Sequence, residues 1–427
     1  MANALARTID FYHCRLMKVI DLFAESQTLY RLLTLWVYGS LSTIFSLLLW
    51  QQSTGAGLNI YDAVISLPSL LVLAPVMAYR GWLNQRFWFR SAPMFVYLGL
   101  ILASLTWADS PDISKTARAV GQVLALYVLF SYLQLSGNFE LLKSALFFAC
   151  GGTALVAAWH LIVMYGVLNA SWEMVLYEGV APDRLEQFGV KPINSMLATL
   201  LIAPQAAMML GLVANEKKQT VRFMGLIALA VLVVFLVALE RRTGQVAILA
   251  AVATCAFIYR SRTWYILCGA AFASGVFVYF MFPEFVLSRG ASWRPEIWMA
   301  TINAISESPF FGHGVANKIT PVLVYDNLGR LLGTFRHPHN LPLAITYYLG
   351  VVGLFFWLCF WVPSAFSKLF DRVLAQRESY MLIPLIVGLV AMMFDGGHPL
   401  SPFHFSWFCF WVPVSLLVSS QACVPRR

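Results

Sequence analysis

Two long runs of this chain contain no residue that is charged at neutral pH, and that limits the fold more than any other feature. Residues 224–239 and 341–362 contain no Asp, Glu, Lys or Arg. Segments near 20 residues, at about 1.5 Å of rise per residue, match a hydrocarbon core about 30 Å thick. A bilayer offers no water to backbone polar groups, so each segment must satisfy its own, and helices are the default solution. A membrane barrel would need short alternating strands, and none is visible. Composition agrees: 60% of the residues are hydrophobic and 11% charged, against about a quarter charged in a soluble domain.

The expected architecture is an all-α polytopic membrane protein with about twelve transmembrane helices. The spans are placed at 31–50, 59–79, 93–108, 117–135, 142–166, 195–214, 223–239, 245–260, 264–283, 340–363, 380–394 and 404–421. The formal charge of +9 does not point to nucleic acid, because no dense basic run occurs. The basic residues sit in short gaps between apolar blocks, which is how membrane topology is written. With the N-terminus inside, the inward gaps hold Arg80, Arg86 and Arg90, then Lys217, Lys218 and Arg222, then Arg260 and Arg262, then Lys368, Arg372 and Arg377. With the termini and Lys143 added, about 18 of the 29 basic residues lie inside, which fits the positive-inside rule and predicts both termini in the cytoplasm. The seven cysteines avoid the two longest outward loops, so no disulfide framework is implied.

Four regions follow: a cytoplasmic segment at 1–30; spans over 31–283 with an outward loop at 168–194; a long outward loop at 284–339; and the last spans and a cytoplasmic tail at 340–427. Residues 1–30 lack a signal-peptide cleavage pattern and are expected to be retained. Loops as long as 284–339 are usually functional. Within it, Pro295-Glu296 opens a helix well, Ile297, Trp298, Ile302 and Ile305 recur at helical spacing, and Ser308-Pro309 stops it. An amphipathic helix lying over the membrane domain is predicted.

Arginines on translocated loops run against the insertion bias. Arg184, Arg241, Arg242, Arg289, Arg294, Arg330 and Arg336 all fall on the outward side, with five of the seven histidines on or near it. Guanidinium groups bind phosphate oxygens bidentately and stay charged at any relevant pH, so one reading is an anionic ligand. The plainer reading is pairing with local acids such as Asp183, Glu186, Glu240 and Glu296, or snorkelling at a helix end for Arg241-Arg242. Arg336-His337-Pro338-His339-Asn340 ends the long loop. His339 suits a general base, kept neutral by neighbouring positive charge. A metal site would want further ligands nearby, and a structural capping role is the remaining choice. Asn340 either caps the next helix or orients the imidazole. Gly350 and Gly353 suggest close helix packing, His313 a glycine-flanked turn, and Asp395 and His398 exposed loop polars with a site role as the alternative.

These stretches resemble the O-antigen ligase (WaaL) family, within the superfamily that includes O-antigen polymerases and protein O-oligosaccharyltransferases. His339-Asn340, nine residues, then Gly350-x-x-Gly353 is similar to the ligase His-Asn signature. Arg294-x-x-x-Trp298 running to Pro309-x-x-Gly312-x-Gly314 resembles the superfamily's long-loop motif. Arg184 with Gly189 and Asn194 looks like the loop arginine ahead of the sixth span, although Pro192-Ile193-Asn194 departs from the usual order. The resemblance implies a GT-C-like membrane glycosyltransferase in the bacterial inner membrane, with its active site facing the periplasm. It implies transfer of O-antigen from undecaprenyl diphosphate to a sugar hydroxyl of lipid A-core, without metal or nucleotide cofactor. Arg184, Arg294 and Arg289 would then grip the diphosphate, His339 would act as base, and His337, Asn340 and Arg336 would support it. A polymerase or protein O-oligosaccharyltransferase would share the donor chemistry, and a lipid-linked-sugar flippase would share the hydropathy. Charge gathered at one membrane edge favours an enzyme over a transporter, which would place it at mid-membrane.

Overall fold

The computed structural model describes residues 27–50, 54–171, 176–177, 180–281, 293–315, 322–325, 331–335 and 337–422. Helices dominate in the order α1 (Gln27–Trp50), α2 (Ala56–Tyr79), α3 (Gln85–Thr106), α4 (Ile113–Leu135), α5 (Phe139–Val167) and the short α6 (Pro182–Glu186). They continue as α7 (Ser195–Ala214), α8 (Gln219–Ala238), α9 (Arg242–Tyr259), α10 (Arg262–Met281) and α11 (Arg294–Glu307). After a hairpin, β1 (Val322–Tyr325) and β2 (Leu331–Phe335), come α12 (Leu341–Phe370), the short α13 (Arg372–Arg377), α14 (Ser379–Asp395) and α15 (Trp411–Ala422).

Among the described residues, nine helices are long and apolar enough to cross a membrane: α1 to α5, α7, α8, α9 and α12. Nine of the predicted spans fall on these nine helices, while the stretch predicted at 404–421 is a 3-10 turn, Phe405–Phe408, followed by α15. Helix α10 is also 20 residues long, and the shorter apolar stretches Ser379–Asp395 and Phe405–Ser420 complete the bundle. Burial within the bundle is uneven in a way the sequence explains. The most central span, α7, has 78% of its best window buried, whereas α8 has 22% and turns its Val, Leu, Ile and Phe side chains outward. Lipid tails are as apolar as leucine, so packing rather than hydrophobicity joins such helices. At Gly388 of α14, an added Cβ would sit 1.9 Å from the Cys409 carbonyl oxygen, so only glycine lets these backbones touch.

The ends of these helices collect into two groups. One end holds the starts of α7, α9, α11 and α12 and the C-terminus of α14; the other holds the starts of α8, α10 and α14 and the basic gaps between them. At the basic end, Asn215 Nδ2 donates to the Gln376 carbonyl (2.7 Å) and to Ser379 Oγ (2.8 Å), Tyr259 Oη donates to Ser379 Oγ (2.9 Å), and Lys368 pairs with Glu378. At the other end Asp62 of α2 accepts from Arg118 Nε (2.6 Å) and Gln122 Nε2 (2.7 Å) of α4, and Gln122 Oε1 accepts from the Phe403 amide (2.8 Å). That pair sits where α2 loosens into a π-turn, and its hydrogen bonds fix the 396–404 turn against the bundle.

The long loop matches its prediction in one part and departs from it in two. Helix α11 forms with Pro295 in its first turn and Glu296 beside its positive end. Its buried face is Ile297 and Thr301, with Ala304 and Ile305 behind them; Ile302 points outward, 48% exposed. The antiparallel hairpin, with Val322 opposite Phe335, was not foreseen. The Gly350 region also differs from simple helix packing. Gly350 has φ +65 inside α12, and a Cβ there would sit 2.1 Å from the Phe310 carbonyl oxygen. The helix is broken at this point, and the Pro309–Gly314 turn repairs it: Val351 donates to the Pro309 carbonyl (2.8 Å), and His313 and Gly314 donate to the Tyr347 and Tyr348 carbonyls (both 2.9 Å). Backbone left open at such depth must find partners in protein, which this turn supplies.

Candidate functional site

A cavity of about 290 Å³ opens at the end where α7, α9, α11, α12 and α14 meet. Met196, Glu240, Arg241, Arg242, Thr243, Arg294, Phe335, His339 and Asp395 line it. All but Phe335, which ends β2, come from helix termini or from residues within two positions of one, so rigid elements set most of the site. Asn194 caps α7, its Oδ1 accepting from the Met196 amide (2.9 Å), and Ser195 Oγ then accepts from Arg241 Nε (2.6 Å). No side chain caps α9 or α11. Their first-turn N–H groups and positive dipole ends therefore stand beside the arginines that open each helix, a combination that favours an anion.

Asp395, at the last residue of α14, organises the cationic wall. Its Oδ1 accepts from Arg294 Nη2 (3.0 Å) and its Oδ2 from Thr243 Oγ1 (2.6 Å), while Arg294 Nε donates to the Phe394 carbonyl (3.0 Å). The Asp395 side chain is 4% exposed and that of Arg294 25%, so the carboxylate is spent inward while the guanidinium keeps an open side. Across the lining the count is three guanidinium groups against two carboxylates, Glu240 and Asp395. The site carries positive charge of its own.

His339 completes the cavity. Its backbone is left-handed, φ +50, as are Glu240 (φ +49) and Trp293 (φ +59), the residues that lead into α9 and α11. Non-glycine residues hold this conformation uncommonly, and such strain gathers where a site demands it. Half-burial of the imidazole lowers its pKa below the ordinary histidine value; Asp395 raises it again, and Arg294 and His337 lower it. Neighbouring cations therefore contribute, but loss of water is the leading cause, which the sequence reading had not included.

The other predicted site residues are placed as follows. Asn340 is a cap: its Oδ1 accepts from the Leu343 amide (3.0 Å), and its Nδ2 donates to the Met393 carbonyl (3.1 Å), tying α12 to α14. His337 leans on His398, ring centroids 4.7 Å apart, and His398 stacks on Tyr348 at 5.4 Å. His398 is exposed, as expected of it, with its ring set between His337 and Tyr348; crowding by the surrounding protein and then His337, Lys115 and His404 lower its pKa. His313 stacks on Tyr347 at 4.6 Å and its Nε2 faces the Ala304 carbonyl (2.9 Å), the turn role expected of it. Arg184 is exposed on α6 and does not line the cavity. Its loop is tied down by the Leu176 amide on the Ala238 carbonyl (2.9 Å) and by Trp159 Nε1 on the Phe188 carbonyl (3.0 Å). Arg289 and Arg336 lie outside the described residues. Among the described residues no three His, Cys, Asp or Glu side chains gather as metal ligands.

Sequence reasoning missed Thr243 and did not choose between a site role and a plainer one for Arg241, Arg242 and Asp395: the adjacent arginines also read as snorkelling groups at a helix end, and Asp395 as a loop polar. Pairing across more than 100 residues, Arg294 to Asp395, has no local signature.

The fold and the site together define a multi-span helical membrane protein with a cation-rich, histidine-bearing cavity at one end. The O-antigen ligase family model matches residues 226–358, which contain α9, α11 and the first part of α12. An O-antigen ligase of Pseudomonas aeruginosa is 28% identical over 316 residues, covering 71% of this chain and 72% of that protein. Both matches support the resemblance to the O-antigen ligase family. No solved structure matches it.

Proposed function

We propose that this protein transfers O-antigen from undecaprenyl diphosphate to a sugar hydroxyl of lipid A-core, at the periplasmic face of the bacterial inner membrane. The observation that carries this reading is the single cavity shared by Arg294, Arg241, Arg242 and His339. A polyprenyl diphosphate leaves as an anion, and fixed guanidinium groups with two uncapped helix N-termini stabilise the charge that develops as it departs. The acceptor oxygen attacks the anomeric carbon, the bond from that carbon to the diphosphate oxygen breaks, and the hydroxyl proton passes to the imidazole of His339. A lowered pKa keeps that imidazole neutral at physiological pH, as a base must be; such a base contributes about 10²- to 10⁴-fold.

The clamp in this reading is Arg294 with Arg241 and Arg242. Arg184 is left out because it does not line the cavity. Charge neutralisation by arginine supplies what a metal ion would supply elsewhere, so the proposed chemistry needs no cofactor. The proposed setting is a GT-C-like bundle of about twelve spans with both ends cytoplasmic, which sets the basic gaps inside and the cavity outside.

The test is a null strain complemented with wild type or H339A. The expected result is that the null loses surface O-antigen while lipid-linked polymer accumulates, and that H339A behaves as the null although the protein inserts normally. Normal core-linked O-antigen with H339A would remove the base assignment. Single repeats on the core in the null would point to a polymerase, glycosylated protein lost in the null to a protein O-oligosaccharyltransferase, and donor held on the inner leaflet to a flippase.

A further inference from the structure

The cavity has one aromatic wall. Phe335, the last residue of β2, is the sole aromatic ring among the described lining residues besides the His339 imidazole, and it stands among arginines and carboxylates. Its ring is half-buried, so one part of it remains open to the cavity. The backbone behind it is fixed by pairing with Val322, and β1 rests on α11, the helix that carries Arg294. The Phe335 and His339 ring centroids are 6.3 Å apart and the planes meet at 81°.

Two rings at nearly a right angle bound a corner. A group that fills such a corner lies flat on one ring and turns its rim to the other. A prenyl tail is a poor occupant, because apart from Phe335 and Met196 the lining is polar or charged, and a tail would leave those charges without water. A pyranose fits the chemistry better: its C–H face is apolar, and its hydroxyls point outward from the ring edge to donate and accept. The arginines and helix N-termini mark the diphosphate side, and the base must touch the attacking hydroxyl, so the sugar nearest His339 is the acceptor's.

We propose that Phe335 is a stacking platform for the acceptor sugar, and that it sets that sugar's hydroxyl against His339. This rests on the ligase reading above and assigns the acceptor side of the same cavity to a named residue. The contact is made with substrate, so Phe335 is a binding residue rather than part of the proton transfer.

Initial rates are measured with the full-length protein in lipid nanodiscs, varying purified lipid A-core at saturating undecaprenyl-diphosphate-linked O-antigen and then the reverse. F335A is expected to raise the KM for lipid A-core about five- to tenfold, the range of an aromatic contact beyond simple burial, and to leave the donor KM unchanged. F335W should restore the wild-type acceptor KM, and F335L should not, although leucine keeps most of the apolar volume that supports the hairpin. Wild-type kinetics in F335L would show the ring to be packing and overturn the proposal, as would a rise in donor KM instead of acceptor KM. F335L also guards against misfolding of F335A, because a merely structural role is rescued by leucine and a stacking role is not. If the wild-type protein transfers nothing, the ligase reading falls and takes this inference with it; if the wild type transfers and F335A matches it, this inference alone falls.

Discussion

The two ends of the helix bundle use the same kinds of residue to opposite effect. At the basic end, Lys368 is 4% exposed and its partner Glu378 14%, and Asn215, Ser379 and Tyr259 close a ring of hydrogen bonds across α7, α9 and α14. Charge there is consumed by the fold. At the cavity end, Asp395 is almost fully buried while Arg294, which it holds, keeps a quarter of its side chain open. The carboxylate is structural and the guanidinium is presented. Arginine at a helix start, set on an uncapped N-terminus, adds positive charge where the dipole already supplies it, an arrangement that costs stability unless an anion arrives. A buried pair that only joined helices would face no such opposition.

Substitution of Arg294 breaks the comparison most severely. R294A should lower transfer about 10²- to 10³-fold, the loss typical of removing one preorganised donor to a developing anion. It also leaves Asp395 buried without its partner, at a cost of about 3–5 kcal/mol. The two effects separate in R294A/D395N, in which the uncompensated charge is gone. That double variant should regain the thermal stability of the wild type, read by a fluorescence-detected size-exclusion melt, while transfer stays low. Recovery of transfer along with stability would show Arg294 to be a structural tie and nothing more.

The matching change at the other end sharpens the contrast. K368M strands Glu378 and should destabilise the protein by about 3–5 kcal/mol, while K368M/E378L, with both charges replaced by apolar groups, should return close to wild type. In both variants the turnover of the protein that remains folded is expected to be unchanged. A fall in turnover per folded molecule in the double variant would mean that the basic end reports to the cavity.

How much of this was legible beforehand divides along the same line. The spans could be placed because hydropathy is a local property of 20 consecutive residues, and the start of α11 because Pro295 and Glu296 carry the signal within one turn. His339 stood out because histidine beside a helix start is locally conspicuous. The remainder of the site depends on approach in three dimensions. Arg241 and Arg242 gain a role only because Glu240 turns the chain through a left-handed φ and aims α9 at α11. Asp395 matters only because the end of α14 lies against Arg294 and Thr243. Gly350 is spaced like a packing glycine, and its true function, a break filled by a turn 40 residues upstream, shows only when Val351 is seen bonded to Pro309.

The pH dependence of transfer tests how the cavity's charges act on the base. Rate should fall on the acid side as His339 takes up a proton, and because its pKa is lowered, that inflection is expected below the ordinary histidine value of about 6.5. Asp395 opposes the lowering, so D395N should move the inflection further toward acid, whatever it does to the maximum rate. Loss of the nearby cation has the opposite sign: R294A should move it toward neutral pH, read from residual rates normalised to each variant's own plateau. An inflection that stays fixed in both variants would detach the titrating group from this cavity.

The smallest effect is expected at Asn340, and it separates two roles that sequence alone left open. As a cap, Asn340 satisfies the Leu343 amide and ties α12 to the Met393 carbonyl, so N340A should cost about 1 kcal/mol of stability. N340D keeps the acceptor for the Leu343 amide and loses the donor to Met393, and should recover part of that stability. An Asn that oriented the imidazole would instead show its loss as a drop in turnover, with the acid inflection displaced. The geometry sides with the cap: both polar atoms of the amide are committed to backbone, and turnover per folded molecule should change little in N340A beside the loss expected for R294A.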